Sequence, residues 1–224
     1  MRRLCTTLAF ILFAAQLEAG LITQTLGNGT PAFADGDTLT IFDLIAAHGG
    51  QTPPFDAGIG NELFEPSFSA DWTFTYGIAE PILSASIVIG IADHDSAASG
   101  SQLASFGFDG NDLSGDLDTL FEASSSGDQV YNVYTIALQP LLFPSLADGS
   151  ATFSLALSGP GLVPVLLGGG VSESPSNGAF LIFSTVSITT EDTTPPPGVP
   201  EPATTWLLGT WLVGLLGARR YLSR

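Results

Sequence analysis

Lysine is absent from this sequence of 224 residues, and its five arginines lie only near the two ends. They are Arg2, Arg3, Arg219, Arg220 and Arg224, and all 22 acidic residues lie in the long stretch between Arg3 and Arg219. Because proteins neutralise phosphate backbones with Lys and Arg, this body excludes nucleic acid as a partner and repels anionic lipid. Its carboxylates have no Lys or Arg to pair with, so they must be hydrated, hydrogen-bonded or bound to cations.

Cysteine and histidine, on which many nucleophilic and acid–base mechanisms depend, are also scarce. Cys5 is the only cysteine and lies in an N-terminal apolar run, and the only histidines are His48 and His94. The motifs GxSxG, HExxH and GxxxxGK are absent. We therefore predict a non-enzymatic protein with no catalytic residue. The sequence leaves open a Ser-His-Asp set on either histidine and, as the alternative function, a secreted carbohydrate-active enzyme that uses unidentified carboxylates.

The N-terminus has the features of a secretory signal peptide. Arg2 and Arg3 precede the apolar residues 4–15, and the small residues Ala19 and Gly20 follow. We predict a helical signal peptide over residues 1–19, removed near Ala19 during export through the secretion translocon. Removal of Cys5 with this segment excludes disulfides and thiol chemistry in the mature protein.

Residues 20–190 have the period-two pattern of half-buried β-strands. Apolar residues alternate with polar ones over residues 70–76, 152–158 and 180–188, and residues 82–92 are rich in Ile and Val. Further strands are predicted at residues 38–46, 103–108, 130–138 and 161–167, and one short helical turn at residues 117–123. With Asp-Gly and Asn-Gly pairs as turn signals, this pattern predicts an all-β, antiparallel, jelly-roll-like β-sandwich.

The C-terminal region differs sharply from the body. Residues 191–199 contain three successive prolines and are predicted to form an extended linker. Residues 203–218 are 16 uncharged residues, and Arg219 and Arg220 follow them as a basic stop. A helix of this length spans roughly 24 Å, which is short for a bilayer. The detached position and terminal arginines nevertheless favour a transmembrane helix over a helix packed on the body.

Pro200, Glu201 and Pro202, followed by a Gly- and Leu-rich apolar segment and a basic end, resemble the PEP-CTERM sorting signal, which here covers residues 200–224. This resemblance implies export in a Gram-negative bacterium, a transient inner-membrane intermediate and processing by an exosortase. It also implies delivery to the cell surface or to an extracellular matrix, with an exopolysaccharide as a further partner. The body, with its SIVIGIADHDSAASGSQ segment, resembles uncharacterised β-sandwich domains of such proteins.

One local pattern in the body indicates a metal ligand set. Asp93-His94-Asp95-Ser96 follows the apolar residues 82–92. In an extended segment Asp93 and Asp95 project to one side and His94 to the other. Carboxylate oxygens are the ligands that calcium prefers, so we predict a calcium site at Asp93 and Asp95. The other interpretation is a loop in which aspartates cap turns. The same two interpretations apply to the sequence DGNDLSGDLD, which contains Asp109, Asp112, Asp116 and Asp118.

Overall fold

The computed structural model describes residues 19–60, 66–165 and 169–191, which belong to one compact unit, Ala19–Glu191. Within these ranges most residues of regular structure lie in antiparallel strands. The strands are β1 (Ala19–Gly27), β2 (Ser69–Thr75), β3 (Ile82–Ala92), β4 (Leu103–Phe108), β5 (Asn111–Asp112), β6 (Tyr131–Leu138), β7 (Ser150–Leu157), β8 (Gly161–Pro164), β9 (Val171–Ser174) and β10 (Phe180–Glu191). The predicted antiparallel β-rich body is therefore confirmed.

The strands form two four-stranded sheets and one hairpin. The first sheet has the order β1-β10-β3-β6 and the second has the order β2-β7-β4-β5. Strands β8 and β9 form the hairpin, which lies between β7 and β10 in the chain. In the first sheet β10 pairs with β1 on one side and with β3 on the other, so the first and last strands of the unit are neighbours.

Both four-stranded sheets contribute side chains to one buried core. In β2, Ala70, Trp72 and Phe74 are buried and the residues between them are exposed. Ile87, Ile89 and other apolar residues of β3, β6 and β10 belong to the same cluster as β2, β7 and β4. The period-two pattern of the sequence therefore corresponds to one buried face on each of these strands. Trp72 of β2 is only 4% exposed.

A second apolar cluster joins a helix to the first sheet. Leu44 and Ala47 of α1 (Ile41–His48) pack with Ile182 and Phe183 of β10. The neighbouring position on β3 is Gly90, where a Cβ atom would overlap the ring of Phe183. The absence of a side chain at this position thus lets the aromatic ring lie over the sheet.

The strand predicted at residues 38–46 is wrong, because most of this segment forms α1. Thr40 caps the helix through a reciprocal arrangement in which its hydroxyl accepts from the Asp43 N–H and the Asp43 carboxylate accepts from the Thr40 N–H. Such a capping box satisfies two backbone donors that a strand would have to pair elsewhere. Ile41, Phe42 and Ile45 remain exposed on this helix. Apolar residues of α1 therefore lie on its solvent-facing side as well as on its buried side.

The predicted helical turn at residues 117–123 lies within a longer helix, α2 (Ser114–Ser124). Leu117 and Phe121 are its buried residues. A 3-10 turn at Pro140–Leu142 continues into the short helix α3 (Phe143–Leu146). In the described part of the chain, no helix has both the length and the apolar character needed to cross a membrane. The helices predicted for residues 1–19 and 203–218 lie outside the described residues, except for Ala19, which begins β1.

Candidate cation site

The loop that follows β3 begins with two residues in the left-handed region. Ala92 ends the strand, paired with both Tyr131 and Phe180. Asp93 then has φ 65° and Asp95 has φ 57°. Aspartate tolerates this conformation better than most residues, because its short side chain can form local hydrogen bonds. The segment from Asp93 to Asp95 is therefore not extended. The expectation that Asp93 and Asp95 project to one side and His94 to the other assumed an extended segment, so it does not apply.

The carboxylates of Asp93 and Asp95 meet a third one, from Asp128. One oxygen from each of the three residues lies within 4.8 Å of the others. Asp95 is completely buried and Asp93 is 9% exposed. Asp128 comes from the segment between α2 and β6, so the group draws on two loops that are far apart in sequence. Each of the three residues offers a carboxylate oxygen that could be a ligand of one metal ion.

Hydrogen bonds donated by backbone N–H groups hold the two loops together. The N–H of Gln129 donates to Oδ1 of Asp93 at 2.6 Å, and the N–H of Asp93 donates to the carbonyl of Val130 at 3.0 Å. Further along, the N–H of Ser126 donates to Oγ of Ser96 at 2.7 Å. Asp128 lies inside the segment that these bonds fix, so its carboxylate is placed beside Asp93 and Asp95 by the backbone.

Two other segments contact the Asp93–Ser96 loop. Oδ2 of Asp95 accepts a hydrogen bond of 2.6 Å from the N–H of Leu162, in β8. The side-chain amide of Asn177, which is completely buried, donates to the carbonyl of His94 at 3.0 Å. The loop is thus connected to the β8–β9 hairpin and to the turn that precedes β10.

The electrostatics of this region favour a bound cation. The three carboxylates each have an oxygen within 4.8 Å of the others and repel one another, and the complete burial of Asp95 strengthens that repulsion. No Lys or Arg occurs between Leu4 and Ala218 to offset it. The backbone donors at Gln129 and Leu162 stabilise the carboxylates without supplying a full positive charge. A divalent cation would supply that charge and could take a carboxylate oxygen from each of the three residues as a ligand.

His94 lies between the two aspartates in sequence but belongs to a different environment. Its ring stacks on Phe121 with centroids 4.2 Å apart, and its Nε2 is 2.7 Å from the hydroxyl of Tyr134. Burial lowers the pKa of His94 to about 4, so the imidazole is neutral at neutral pH. It is not a member of the group that can hold an ion.

In the second acidic segment Asp112 caps a turn, whereas Asp109 and Asp118 accept hydrogen bonds from residues distant in sequence. Asp109 accepts from the N–H of Thr152, Asp112 accepts from the N–H of Ser114, and Asp118 accepts from the hydroxyl of Ser101. The hydrogen bonds from Ser114 lower the pKa of Asp112, whereas burial raises the pKa of Asp109. In the described ranges these aspartates form no group able to hold an ion.

Sequence reasoning identified two of the three residues of the cluster and missed Asp128. The available signal was the turn sequence Gly127-Asp128 just before β6, but nothing local connects it to Asp93. The predicted sorting residues Pro200, Glu201 and Pro202, and the predicted stop residues Arg219 and Arg220, lie outside the described residues.

No protein-family model matches the chain, and no curated protein matches it. Among solved structures, dimeric latent PorU from Porphyromonas gingivalis is similar with a TM-score of 0.33 and 12% sequence identity. The match covers 78% of this chain and 13% of that one, so the chain spans a small part of the length of PorU. At that TM-score the likeness carries no conclusion about fold or function.

Proposed function

We propose that this chain is an exported cell-surface or extracellular-matrix protein whose body is a non-enzymatic jelly roll stabilised at one end by calcium. The observation that carries the calcium assignment is the convergence of Asp93, Asp95 and Asp128 in a body that has no Lys or Arg. Export and sorting by an exosortase rest on the sequence features of residues 1–19 and 200–224.

The strand order supports the jelly roll. If the β8–β9 hairpin is treated as an insertion, the remaining eight strands have the orders 1-8-3-6 and 2-7-4-5. Consecutive strands then alternate between the two sheets from β1 to β4, and again from β6 to β7 and β10. Two four-stranded antiparallel sheets that share one core, with connections of this kind, are the arrangement of an eight-stranded jelly roll.

Calcium fits the donor set better than the other common divalent cations. All three residues offer oxygen, which calcium and magnesium prefer, whereas zinc and copper favour imidazole or thiolate. The imidazole of His94 is not part of the cluster, because its Nε2 lies beside the hydroxyl of Tyr134. Magnesium requires a nearly ideal octahedron at short distances, whereas calcium accepts irregular geometry. A site assembled from two loops with two left-handed residues suits the more tolerant ion.

The burial of Asp95 supports a structural role for the ion. Asp95 is completely buried. A glycosidic bond therefore cannot reach its carboxylate, as it would have to in a carbohydrate-active enzyme. The ion would join the Asp93–Ser96 loop to the segment that contains Asp128, and through Leu162 to the β8–β9 hairpin. A cation that binds only the native state adds about 2.7 kcal/mol at a hundredfold excess over Kd.

The test is a thermal melt of the full chain in calcium and in sodium of matched ionic strength. A specific site predicts a larger increase in Tm with calcium, reached at or below the millimolar concentrations typical of extracellular modules. The double variant Asp93→Asn, Asp95→Asn should lose the calcium-specific part. The control is the double variant Asp71→Asn, Glu122→Gln. It also removes two negative charges, but from exposed positions, so it should keep the calcium response.

Two results would contradict the calcium site. Equal increases in Tm for calcium and matched sodium would mean that screening of the acidic surface explains the effect. Retention of the calcium-specific increase in the Asp93, Asp95 double variant would place the ion elsewhere. Neither result bears on sorting, which is tested separately by the processed mass of the protein.

A further inference from the structure

Strand β1 forms one edge of the first sheet, since it pairs with β10 on one side only. Its register with β10 runs without a shift from Ala19 to Gly27, which lies opposite Phe183. The N–H of Asn28 continues this register and donates to the carbonyl of Ile182 at 2.9 Å. Asn28 and Ile182 are therefore a hydrogen-bonded pair of an antiparallel ladder, in which bonded and non-bonded pairs alternate.

This alternation determines which backbone groups of β1 point away from β10. The even-numbered residues of β1 have the parity of Asn28 and bond to β10, so the N–H and C=O groups of Leu21, Thr23 and Thr25 point to the open side. The hydroxyls of Thr25 and Thr185 lie 2.8 Å apart, as expected for a non-bonded pair, whose side chains are closer. All three outward residues are exposed, and none of the described residues supplies a backbone partner for them.

Each of the other edges of the two four-stranded sheets has a protecting feature. On β2 the exposed Asp71 adds a charge, and the carbonyl of Thr75 accepts a hydrogen bond of 2.6 Å from Nε2 of Gln24. The start of β6 is covered by the loop before α1, whose Asp35 accepts from the N–H of Val133 at 2.9 Å. Strand β5 has only two residues. Charge, coverage and short length are the devices that keep a sheet edge from pairing with another chain.

Strand β1 has none of these devices. Its nine residues include no charge and no proline, and its register has no bulge. Leu21 is 71% exposed, so an apolar side chain lies at this open edge. The adjacent face of β10 is also uncharged, since Thr185, Ser187 and Thr189 are its partly exposed residues beside β1. In a chain of net charge -17, two copies can approach along this strip without placing like charges opposite each other.

We propose that β1 is the interface of a homodimer, in which the β1 strands of two copies pair antiparallel about a two-fold axis at Thr23. The two Thr23 residues then lie opposite each other, and Leu21 of each copy lies opposite Thr25 of the other. Each outward N–H faces an outward C=O, which gives about six backbone hydrogen bonds between the copies. The first sheets of the two copies become one continuous sheet, and the two-fold contact closes at two copies. This dimer depends neither on calcium nor on sorting.

The size and charge of this interface determine how strong the dimer should be. One strand pair buries less area than the roughly 1,600 Å² of a standard stable interface. Both copies are also acidic, so they repel each other at long range. We therefore expect a concentration-dependent dimer whose Kd decreases as added salt screens the repulsion.

The experiment is sedimentation velocity on the purified full chain, from micromolar to millimolar concentration, at physiological ionic strength. Thr23→Asp is the informative variant, because it places two like charges opposite each other at the two-fold axis. It should raise the dimer Kd at least about tenfold. Thr73→Asp is the matched control, since it adds the same charge to an exposed threonine of the edge strand β2 and should leave the Kd unchanged.

Thr23→Pro tests the backbone bonds without adding charge. The N–H that it removes points to the open side, where edge strands tolerate proline, so this variant should fold and should also weaken the dimer. Thermal melts establish that each variant is folded.

Amide hydrogen exchange of the wild-type chain, followed by NMR, gives an independent readout. The amides of Leu21, Thr23 and Thr25 should exchange rapidly in the monomer. They should exchange about tenfold more slowly where roughly nine-tenths of the chain is dimeric, because only the monomer exchanges. The amides of Gln24 and Leu26 bond to β10 in both states and should be protected throughout.

Three results would overturn the dimer. One is a wild-type chain that stays monomeric at millimolar concentration. Another is a dimer whose Kd is the same in folded Thr23→Asp and Thr23→Pro as in the wild type, because the copies would then meet elsewhere. The third is slow exchange of the Leu21, Thr23 and Thr25 amides in the monomer, because another segment of the same chain would then already cover this edge.

Discussion

The carboxylate of Asp95 accepts a hydrogen bond from the backbone N–H of Leu162, 67 residues further along the chain. Both residues are buried, so neither group can turn to water if the bond is lost. The bond also connects the loop after β3 with the hairpin that lies outside the two four-stranded sheets. Asp95 therefore has a structural role that does not require a bound ion.

This role predicts a loss of stability in Asp95→Ala even when calcium is removed. The variant leaves the N–H of Leu162 without its acceptor, and a buried donor in that state costs about 1–3 kcal/mol. Urea unfolding in the presence of a chelator measures the effect. Asp71→Ala, at an exposed position of β2, should change the free energy of unfolding by less than about 0.5 kcal/mol. Equal effects of the two variants would show that the Leu162 bond contributes no more than the relief of repulsion among the three carboxylates that the substitution also brings.

Three tyrosines make the protein sensitive to alkaline pH. Burial raises the pKa of Tyr76, with a further contribution from the charges of Asp148 and Asp109. Burial likewise raises the pKa of Tyr131 and Tyr134. Above the ordinary tyrosine pKa of about 10 the unfolded chain loses these protons while the folded chain keeps them. The folded state then binds more protons, so its stability falls as pH rises.

The measurement is urea unfolding as a function of pH above neutrality, followed with tyrosinate absorbance. The free energy of unfolding should fall as pH rises above about 10. Tyr76→Phe removes one of the titrating groups and should reduce the slope. It should also lower stability at neutral pH by about 1 kcal/mol, because the hydroxyl donates to the carbonyls of Leu146 and Ser150. An unchanged slope in this variant would contradict the role of Tyr76.

Two glycine-to-alanine substitutions should have opposite effects. Gly90→Ala places a methyl group against the ring of Phe183 and the hydroxyl of Tyr131, and overpacking of this kind costs about 1–3 kcal/mol. Gly115→Ala lies in α2 with nothing within 4 Å of the new methyl group. It should stabilise the protein by up to about 1 kcal/mol, because alanine favours helix more than glycine. Denaturant unfolding of both variants tests the packing of Phe183 over β3.

The sorting proposal predicts the mass of the mature protein. Removal of residues 1–19 and of the tail beyond the Pro200-Glu201-Pro202 motif would leave a chain with no arginine at all. Intact mass spectrometry of protein recovered from the surface of its native cell measures this directly. Recovery of material that still contains Arg219 would contradict exosortase processing.

The strands were predictable where one face of a segment is buried and the other is exposed. β2 and β7 have this alternation, and their sequence patterns predicted them. Residues 38–46 show why the same criterion fails, since Thr38, Leu39, Thr40 and Ile41 alternate in polarity although most of the segment is helical. The decisive signal was the spacing of Thr40 and Asp43, which satisfies backbone donors at the start of α1.

The remaining features depend on contacts between distant parts of the chain. Asp128 reaches Asp93 only because β3 pairs with β6, and that pairing is not encoded in either local sequence. The contact between the rings of His48 and Phe180 similarly requires β10 to place Phe180 next to α1. Local periodicity predicts which face of a strand is buried, but it does not predict which strand lies beside it.

The pairing of β10 with β3 has a mechanical consequence. Phe180 lies opposite Ala92, at the end of the sheet where Asp93 begins, and Thr190 lies opposite Ile82 at the other end. At about 3.3 Å per residue the 12 residues of β10 extend over about 36 Å. A force applied to Glu191 along the axis of β10 would therefore act in shear on the hydrogen bonds of β10 to β1 and to β3 at the same time. Such a sheet resists tension far better than one whose strands are peeled apart one bond at a time.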